Sequence, residues 1–124
     1  SLPSTGRATV MGINHFPKGG GYMTEHLDKM HKYEPFQTII KASTNGKDYR
    51  TGGLQLRLSK DHDPINVDEY WDIGDLVMFN SGKYYHQVSQ IDPNEPLTWS
   101  LEDGRFTICI RTDNPKTRDK VSST

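Results

Sequence analysis

Apolar and polar residues alternate along most of the chain with a period of two, which is the pattern of half-buried β-strands rather than of helices. Gly, Pro, Asn and Asp separate the alternating runs, and pairs such as Asn45-Gly46 and Asp103-Gly104 provide the backbone freedom that tight turns require. The pattern predicts no convincing helix. It predicts eight strands, near residues 7–14, 22–28, 36–43, 53–58, 64–68, 75–80, 84–91 and 104–111.

Eight strands without helices between them favour two packed antiparallel sheets. We therefore predict an all-β fold, a double-stranded β-helix or jelly roll, that forms a single domain over residues 1–124. A chain of 124 residues is long enough for one hydrophobic core and too short for two. The final segment, from about residue 113 to 124, is polar and is predicted to be a tail.

Charge and cysteine content limit the possible partners and compartments. Fifteen Lys and Arg residues against sixteen Asp and Glu residues give a net charge of −1, which argues against a nucleic-acid partner. No apolar run approaches the roughly 20 residues of a membrane helix, so no membrane partner is expected. The single cysteine, Cys109, excludes an internal disulfide and a cysteine-rich zinc site, and it suits a reducing compartment such as the cytoplasm.

The segment NHFPKGGGYMTEHLDK, residues 14–29, places His26 and Asp28 two positions apart after a glycine-rich turn. In an extended chain residues i and i+2 face the same side, so an imidazole and a carboxylate would point toward one position. A third candidate, His86, follows another Gly-containing turn at the start of a later strand. Two histidines and one carboxylate on one side of a metal leave the opposite positions open, as in non-haem Fe(II) oxygenases.

These residues resemble the catalytic core of the Fe(II)/2-oxoglutarate-dependent dioxygenases, in which an H-x-D…H triad lies on two adjacent strands of a jelly roll. The matching residues are His26, Asp28 and His86, with 57 residues between the last two. GGLQL (52–56) and GDLVMFNSGKYYHQV (74–88) also resemble the middle and late strands of that family. The resemblance extends from Asn14 to Arg111.

The resemblance also implies a 2-oxoglutarate site that includes the last predicted strand, GRFTICIR. Alternation places Arg105, Thr107 and Arg111 on one face of it, and a guanidinium can hold a carboxylate through two hydrogen bonds. By resemblance, Arg105 and Thr107 bind the carboxylate far from the metal. Arg111 matches a second arginine that nucleic-acid dealkylases of the family place near the metal-side carboxylate, and Asn14 matches a polar co-substrate contact. Phe16 departs from the pattern, because a Tyr is common there.

The resemblance implies an enzyme that uses Fe(II), 2-oxoglutarate and O₂, releases succinate and CO₂, and hydroxylates a second substrate, for which we expect a small molecule. The residues alone leave alternatives open. His26 and Asp28 could be a surface histidine beside a turn carboxylate, and the fold also suits a non-enzymatic metal- or small-molecule-binding module. A cupin-type metalloenzyme is a further alternative, although it expects H-x-H with a nearby Glu where this chain has HLD.

Alternation turns Phe106, Ile108 and Ile110 away from the Arg105 face, which predicts an outward apolar stripe that needs a cover. By resemblance, that cover consists of helices that precede the core. The chain opens Ser-Leu-Pro without a Met. We therefore expect the cover to come from residues upstream of this chain or from a partner subunit, such as a second copy.

Overall fold

The computed structural model describes residues 8–28 and 36–113, which form eight β-strands and one turn of 3-10 helix. No helix in these ranges is long and apolar enough to cross a membrane. The predicted tail lies almost wholly outside the described residues. The strands are β1 (Ala8–Phe16), β2 (Gly21–His26), β3 (Gln37–Lys41), β4 (Gly53–Arg57), β5 (Ile65–Asn66), β6 (Leu76–Phe79), β7 (Tyr85–Ile91) and β8 (Arg105–Asp113).

The strands form two antiparallel sheets of four. One sheet has the order β1-β8-β3-β6 and the other has the order β2-β7-β4-β5. Most consecutive strands lie in different sheets, so the chain winds back and forth between the two layers. This is the topology of a double-stranded β-helix, and the predicted jelly-roll fold is confirmed.

The hydrophobic core lies between the two sheets and is built from the inward-facing residues of their strands. Leu54 and Leu56 on β4 show the expected period of two, because both are buried and Gln55 between them is less buried. Ile39 on β3 is likewise buried between two less buried neighbours. The main core cluster consists of Ile39, Leu54, Leu56, Val67, Trp71 and Phe79. A second cluster consists of Tyr49, Val88 and Ile91.

β5 is shorter than the strand predicted over residues 64–68. It contains only Ile65–Asn66, and the chain then forms the 3-10 turn Val67–Glu69. Asp68 accounts for the difference, because its side chain is buried and its carboxylate binds Arg105 of β8. The prediction of a strand through residue 68 is wrong, since this ion pair draws the chain out of the sheet.

The outer face of the β1-β8-β3-β6 sheet is apolar. The half-buried Ile108 and Ile110 of β8 lie at its centre. Four residues at its two edges are each more than half exposed: Met11 and Ile13 on β1, and Leu76 and Met78 on β6. The apolar surface therefore extends across the sheet, and the cover expected for it stays a prediction.

Candidate metal centre

His26 and His86 lie on neighbouring strands of the β2-β7-β4-β5 sheet. His26 is the last residue of β2, His86 is the second residue of β7, and the two residues are directly opposite each other in the pairing. Opposed residues of an antiparallel pair have Cβ atoms about 5 Å apart. The two imidazole rings are accordingly 4.2 Å apart between centroids. Strand pairing thus brings together two histidines that are distant in sequence.

Asp28 lies beyond the end of β2, so strand alternation does not explain its position. Its backbone N–H donates a hydrogen bond of 2.9 Å to the carbonyl of Ser81, which precedes β7. Its Oδ1 lies 3.2 Å from His26 Nε2 and 3.5 Å from His86 Nε2. One ligand atom from each of the three residues lies within 4.8 Å of the others. The predicted triad is therefore gathered at one point, and its binding of a metal stays a prediction.

Backbone carbonyls orient both imidazoles. His26 Nδ1 lies 2.7 Å from the carbonyl oxygen of Thr24, and His86 Nδ1 lies 3.0 Å from that of Tyr84. A carbonyl oxygen only accepts, so Nδ1 of each ring is the donor in this contact and Nε2 is the nitrogen that lies beside Asp28. Metal-binding histidines are commonly oriented in this way, through a hydrogen bond from the other ring nitrogen.

Asp28 and His86 stabilise a positive charge between them. Hydrogen bonds from His86 and Ser81 lower the pKa of Asp28 below its ordinary value, against the effect of burial. Burial alone would lower the pKa of His86, but its hydrogen bonds with Asp28 and with the Tyr84 carbonyl raise it above its ordinary value. A proton or a divalent cation at this point is therefore favoured by the same carboxylate.

The three ligand atoms suit a divalent first-row metal. Such metals bind imidazole nitrogen and carboxylate oxygen at about 2.1 Å, so ligand atoms at right angles are about 3 Å apart. The distances of 3.2 and 3.5 Å from Asp28 Oδ1 are close to this separation. The His86 side chain is 2% exposed, whereas those of His26 and Asp28 are 39% and 40% exposed. One side of the centre is thus within the protein and the other faces solvent.

Arg105 points into the interior, but its guanidinium already has a partner. The residue is 1% exposed, and its Nε and Nη2 donate to Asp68 Oδ2 at 2.8 Å and to Asp68 Oδ1 at 2.9 Å. This pair was not predicted from the sequence. Both N–H groups of Nη1 and the second N–H of Nη2 are left for another acceptor, and the assignment of Arg105 to a co-substrate carboxylate stays a prediction.

The other predicted co-substrate residues are arranged along β8. Thr107 is buried and lies between Asn14 of β1 and Lys41 of β3 in the strand register. Asn14 Nδ2 donates a hydrogen bond of 2.9 Å to Cys109 Sγ. Arg111 is exposed, and it makes no ion pair with any residue in the described part of the chain. Asn14 and Thr107 are thus on the same side of the sheet as Arg105, but Asn14 is exposed whereas Thr107 and Arg105 are buried.

Lys41 is a second buried cation near Arg105 that sequence analysis missed. Its residue exposure is 1%, and it is the last residue of β3. A signal for it was present, because in QTIIK alternation places Lys41 on the same face as the buried Ile39. Asp68 gave no comparable signal, since its partner lies 37 positions away and the turn that orients it was read as a strand.

No known family profile matches this chain, and no curated protein matches its sequence. Among solved structures, it is similar to a Pseudomonas putida prolyl-4-hydroxylase, with 14% sequence identity and a TM-score of 0.49. The similarity covers 86% of this chain and 50% of that chain, so the present chain spans about half the length of that enzyme. A similarity of this size does not indicate an activity.

Proposed function

We propose that the protein is a non-haem Fe(II)/2-oxoglutarate-dependent oxygenase that hydroxylates a small molecule. The observation that carries the proposal is the convergence of His26 Nε2, His86 Nε2 and Asp28 Oδ1. Two imidazoles and one carboxylate form the ligand set typical of metals that keep open positions for a co-substrate and O₂. The jelly-roll topology supports the proposal, because it supplies the two adjacent strands that carry this ligand set in the family resembled.

His26, Asp28 and His86 would hold the iron. When bound, iron and 2-oxoglutarate supply the chemistry of O₂ activation, with succinate and CO₂ as products beside the hydroxylated substrate. The chain's own residues provide orientation and exclusion of water. The carbonyls of Thr24 and Tyr84 hold the two imidazoles in position. Phe79 packs against His86 at 5.2 Å between ring centroids, which keeps water from the interior side of that ligand.

The co-substrate would extend from the metal into the interior, where Arg105 and Thr107 supply a cation and a hydroxyl. The exposed Asn14, paired with Thr107, would supply an amide. We assign the carboxylate far from the metal to Arg105 and Thr107. Asn14 and Arg111 are assigned as further co-substrate contacts. The half-exposed side formed by His26 and Asp28 is where a small substrate would approach.

The test is succinate release from 2-oxoglutarate in the presence of Fe(II) and O₂, with a panel of amino acids, peptides and lipophilic metabolites as substrates. Wild type is compared with His86→Ala and with His62→Ala, a matched control at an exposed histidine. We expect wild type and His62→Ala to release succinate at similar rates. We expect His86→Ala to be slower by more than about 100-fold, because it loses a metal ligand.

Succinate release that survives His86→Ala would refute the site. Metal binding by wild type without succinate release on any substrate would instead favour the alternative of a non-enzymatic metal-binding jelly roll.

A further inference from the structure

A buried cluster of charged and aromatic side chains lies in the interior, on the inner face of the paired strands β3 and β8. Its members, which we call the cation cluster, are Lys41, Tyr49, Asp68, Trp71 and Arg105. Each of them is at most 6% exposed. Two cations and one carboxylate leave an excess of one positive charge in this part of the core.

Asp68 has no capacity left for another cation. Its Oδ1 accepts hydrogen bonds from Arg105 Nη2 at 2.9 Å, the Leu54 N–H at 3.0 Å and Trp71 Nε1 at 3.1 Å. Its Oδ2 accepts from Arg105 Nε at 2.8 Å and from the Tyr49 hydroxyl. A carboxylate offers about four lone-pair positions, so these donors saturate it. The charge of Asp68 is thus committed chiefly to Arg105.

Lys41 has an ammonium group without an anionic partner among the described residues. Its Nζ donates to the carbonyl of Trp71 at 3.2 Å, which uses one of three N–H donors. Burial lowers the pKa of Lys41 below its ordinary value, and the positive charge of Arg105 acts in the same direction. The charges of Asp68, Asp72 and Asp75 oppose this lowering only in part. Asp72 and Asp75 are exposed and form no ion pair with Lys41. An ammonium in this position would be stabilised by an anion that enters the interior.

Lys41 and Arg105 lie on the same side of the sheet and beside the same aromatic ring. Lys41 is paired with Thr107 across β3 and β8, and Arg105 is the next inward residue along β8. Lys41 Nζ lies 5.9 Å from the centroid of the Trp71 ring, and Arg105 Cζ lies 5.9 Å from the centroid of the same ring. Nη1 of Arg105, which Asp68 does not use, remains as a donor.

We propose that Lys41 is a co-substrate-binding residue, whose buried ammonium receives, together with Nη1 of Arg105, the carboxylate of 2-oxoglutarate that lies far from the metal. This inference rests on the proposed function. Asp68 is a positioning residue in this arrangement, because it holds the guanidinium of Arg105 without contacting the co-substrate. The carboxylate balances the excess positive charge of the cation cluster.

The test compares two acids that share the metal-binding end and differ at the other. Titration calorimetry measures the binding of 2-oxoglutarate and of 2-oxopentanoate, which lacks the second carboxylate, to the Mn(II)-loaded protein. The variants are Lys41→Met, which keeps the length of the side chain without its charge, and Lys47→Met, a control at an exposed lysine. We expect Lys41→Met to weaken 2-oxoglutarate binding by about 10- to 100-fold and to leave 2-oxopentanoate binding unchanged, as for loss of a charged hydrogen bond. Lys47→Met should change neither.

Failure of this inference is distinguishable from failure of the proposed function. Absence of metal-dependent binding of either acid to wild type would refute the proposed function and this inference with it. A wild-type preference for 2-oxoglutarate that persists in Lys41→Met would overturn only the role of Lys41. If Lys41→Met binds neither acid, the same titrations are carried out with Lys41→Arg, which keeps the positive charge. Restored preference for 2-oxoglutarate supports the charge contact, and a folded Lys41→Arg without that preference overturns it.

Discussion

Asp68→Asn should destabilise the protein strongly, because it leaves the buried guanidinium of Arg105 without its counter-charge. The two residues are 5% and 1% exposed and are joined by two hydrogen bonds. Removing one partner of a buried ion pair costs about 3–5 kcal/mol. The same substitution also removes a hydrogen-bond acceptor from Tyr49 or Trp71. The free energy of that loss is included in this cost and is not counted separately. A loss of about 3–5 kcal/mol is a large share of the roughly 5–15 kcal/mol that holds a domain folded.

The measurement is equilibrium unfolding in urea, followed by tryptophan fluorescence. Asp63→Asn, at an exposed aspartate, is the matched control and should change the free energy of unfolding by less than about 0.5 kcal/mol. The double variant Asp68→Asn with Arg105→Met should recover part of the loss, because it also removes the unpaired charge. A loss below about 1 kcal/mol in Asp68→Asn, or a double variant that shows the full sum of the two single losses, would refute this reasoning.

Other predictions concern acid stability, packing and metal binding. Burial would raise the pKa of Asp68, but Arg105 lowers it below its ordinary value. Its contribution to stability is therefore present above about pH 4 and is lost as pH falls through the lower folded-state pKa, so wild type should lose more stability in acid than Asp68→Asn. Leu54→Ala should cost about 2–5 kcal/mol in urea unfolding, because Leu54 is 2% exposed. Gly53→Ala should cost more than about 1 kcal/mol, since φ is 141° and a Cβ would overlap the Asp68 carboxylate. Mn(II) should raise the thermal unfolding midpoint, and the rise should shrink as pH falls through the raised pKa of His86, where protons compete with the metal.

The fold could be predicted from local patterns, because period-two alternation locates all eight strands. That His26 and His86 meet was predicted from the family resemblance, and the pairing of β2 with β7 brings them opposite each other. The position of Asp28 was predicted from the alternation of side chains along a strand, which explains it only in part. It lies outside β2, and the Ser81 carbonyl, a contact between distant segments, holds its backbone.

The cation cluster could not be predicted, because its members come from separate parts of the chain. Arg105 alone gives the pattern of a free carboxylate-binding residue, and nothing local indicates that Asp68 saturates one edge of its guanidinium. The 3-10 turn that orients Asp68 depends on that same pairing, which is why the fifth strand was predicted too long. Lys41 could have been found from its alternation with Ile39.

The most direct test of the metal centre is a calorimetric titration of the protein with Mn(II), in wild type, Asp28→Ala and the exposed control Asp63→Ala. The three converging ligand atoms predict one ion bound per chain in wild type and in the control, and an affinity more than about 100-fold weaker in Asp28→Ala. Equal Mn(II) affinity in wild type and Asp28→Ala would contradict the metal centre.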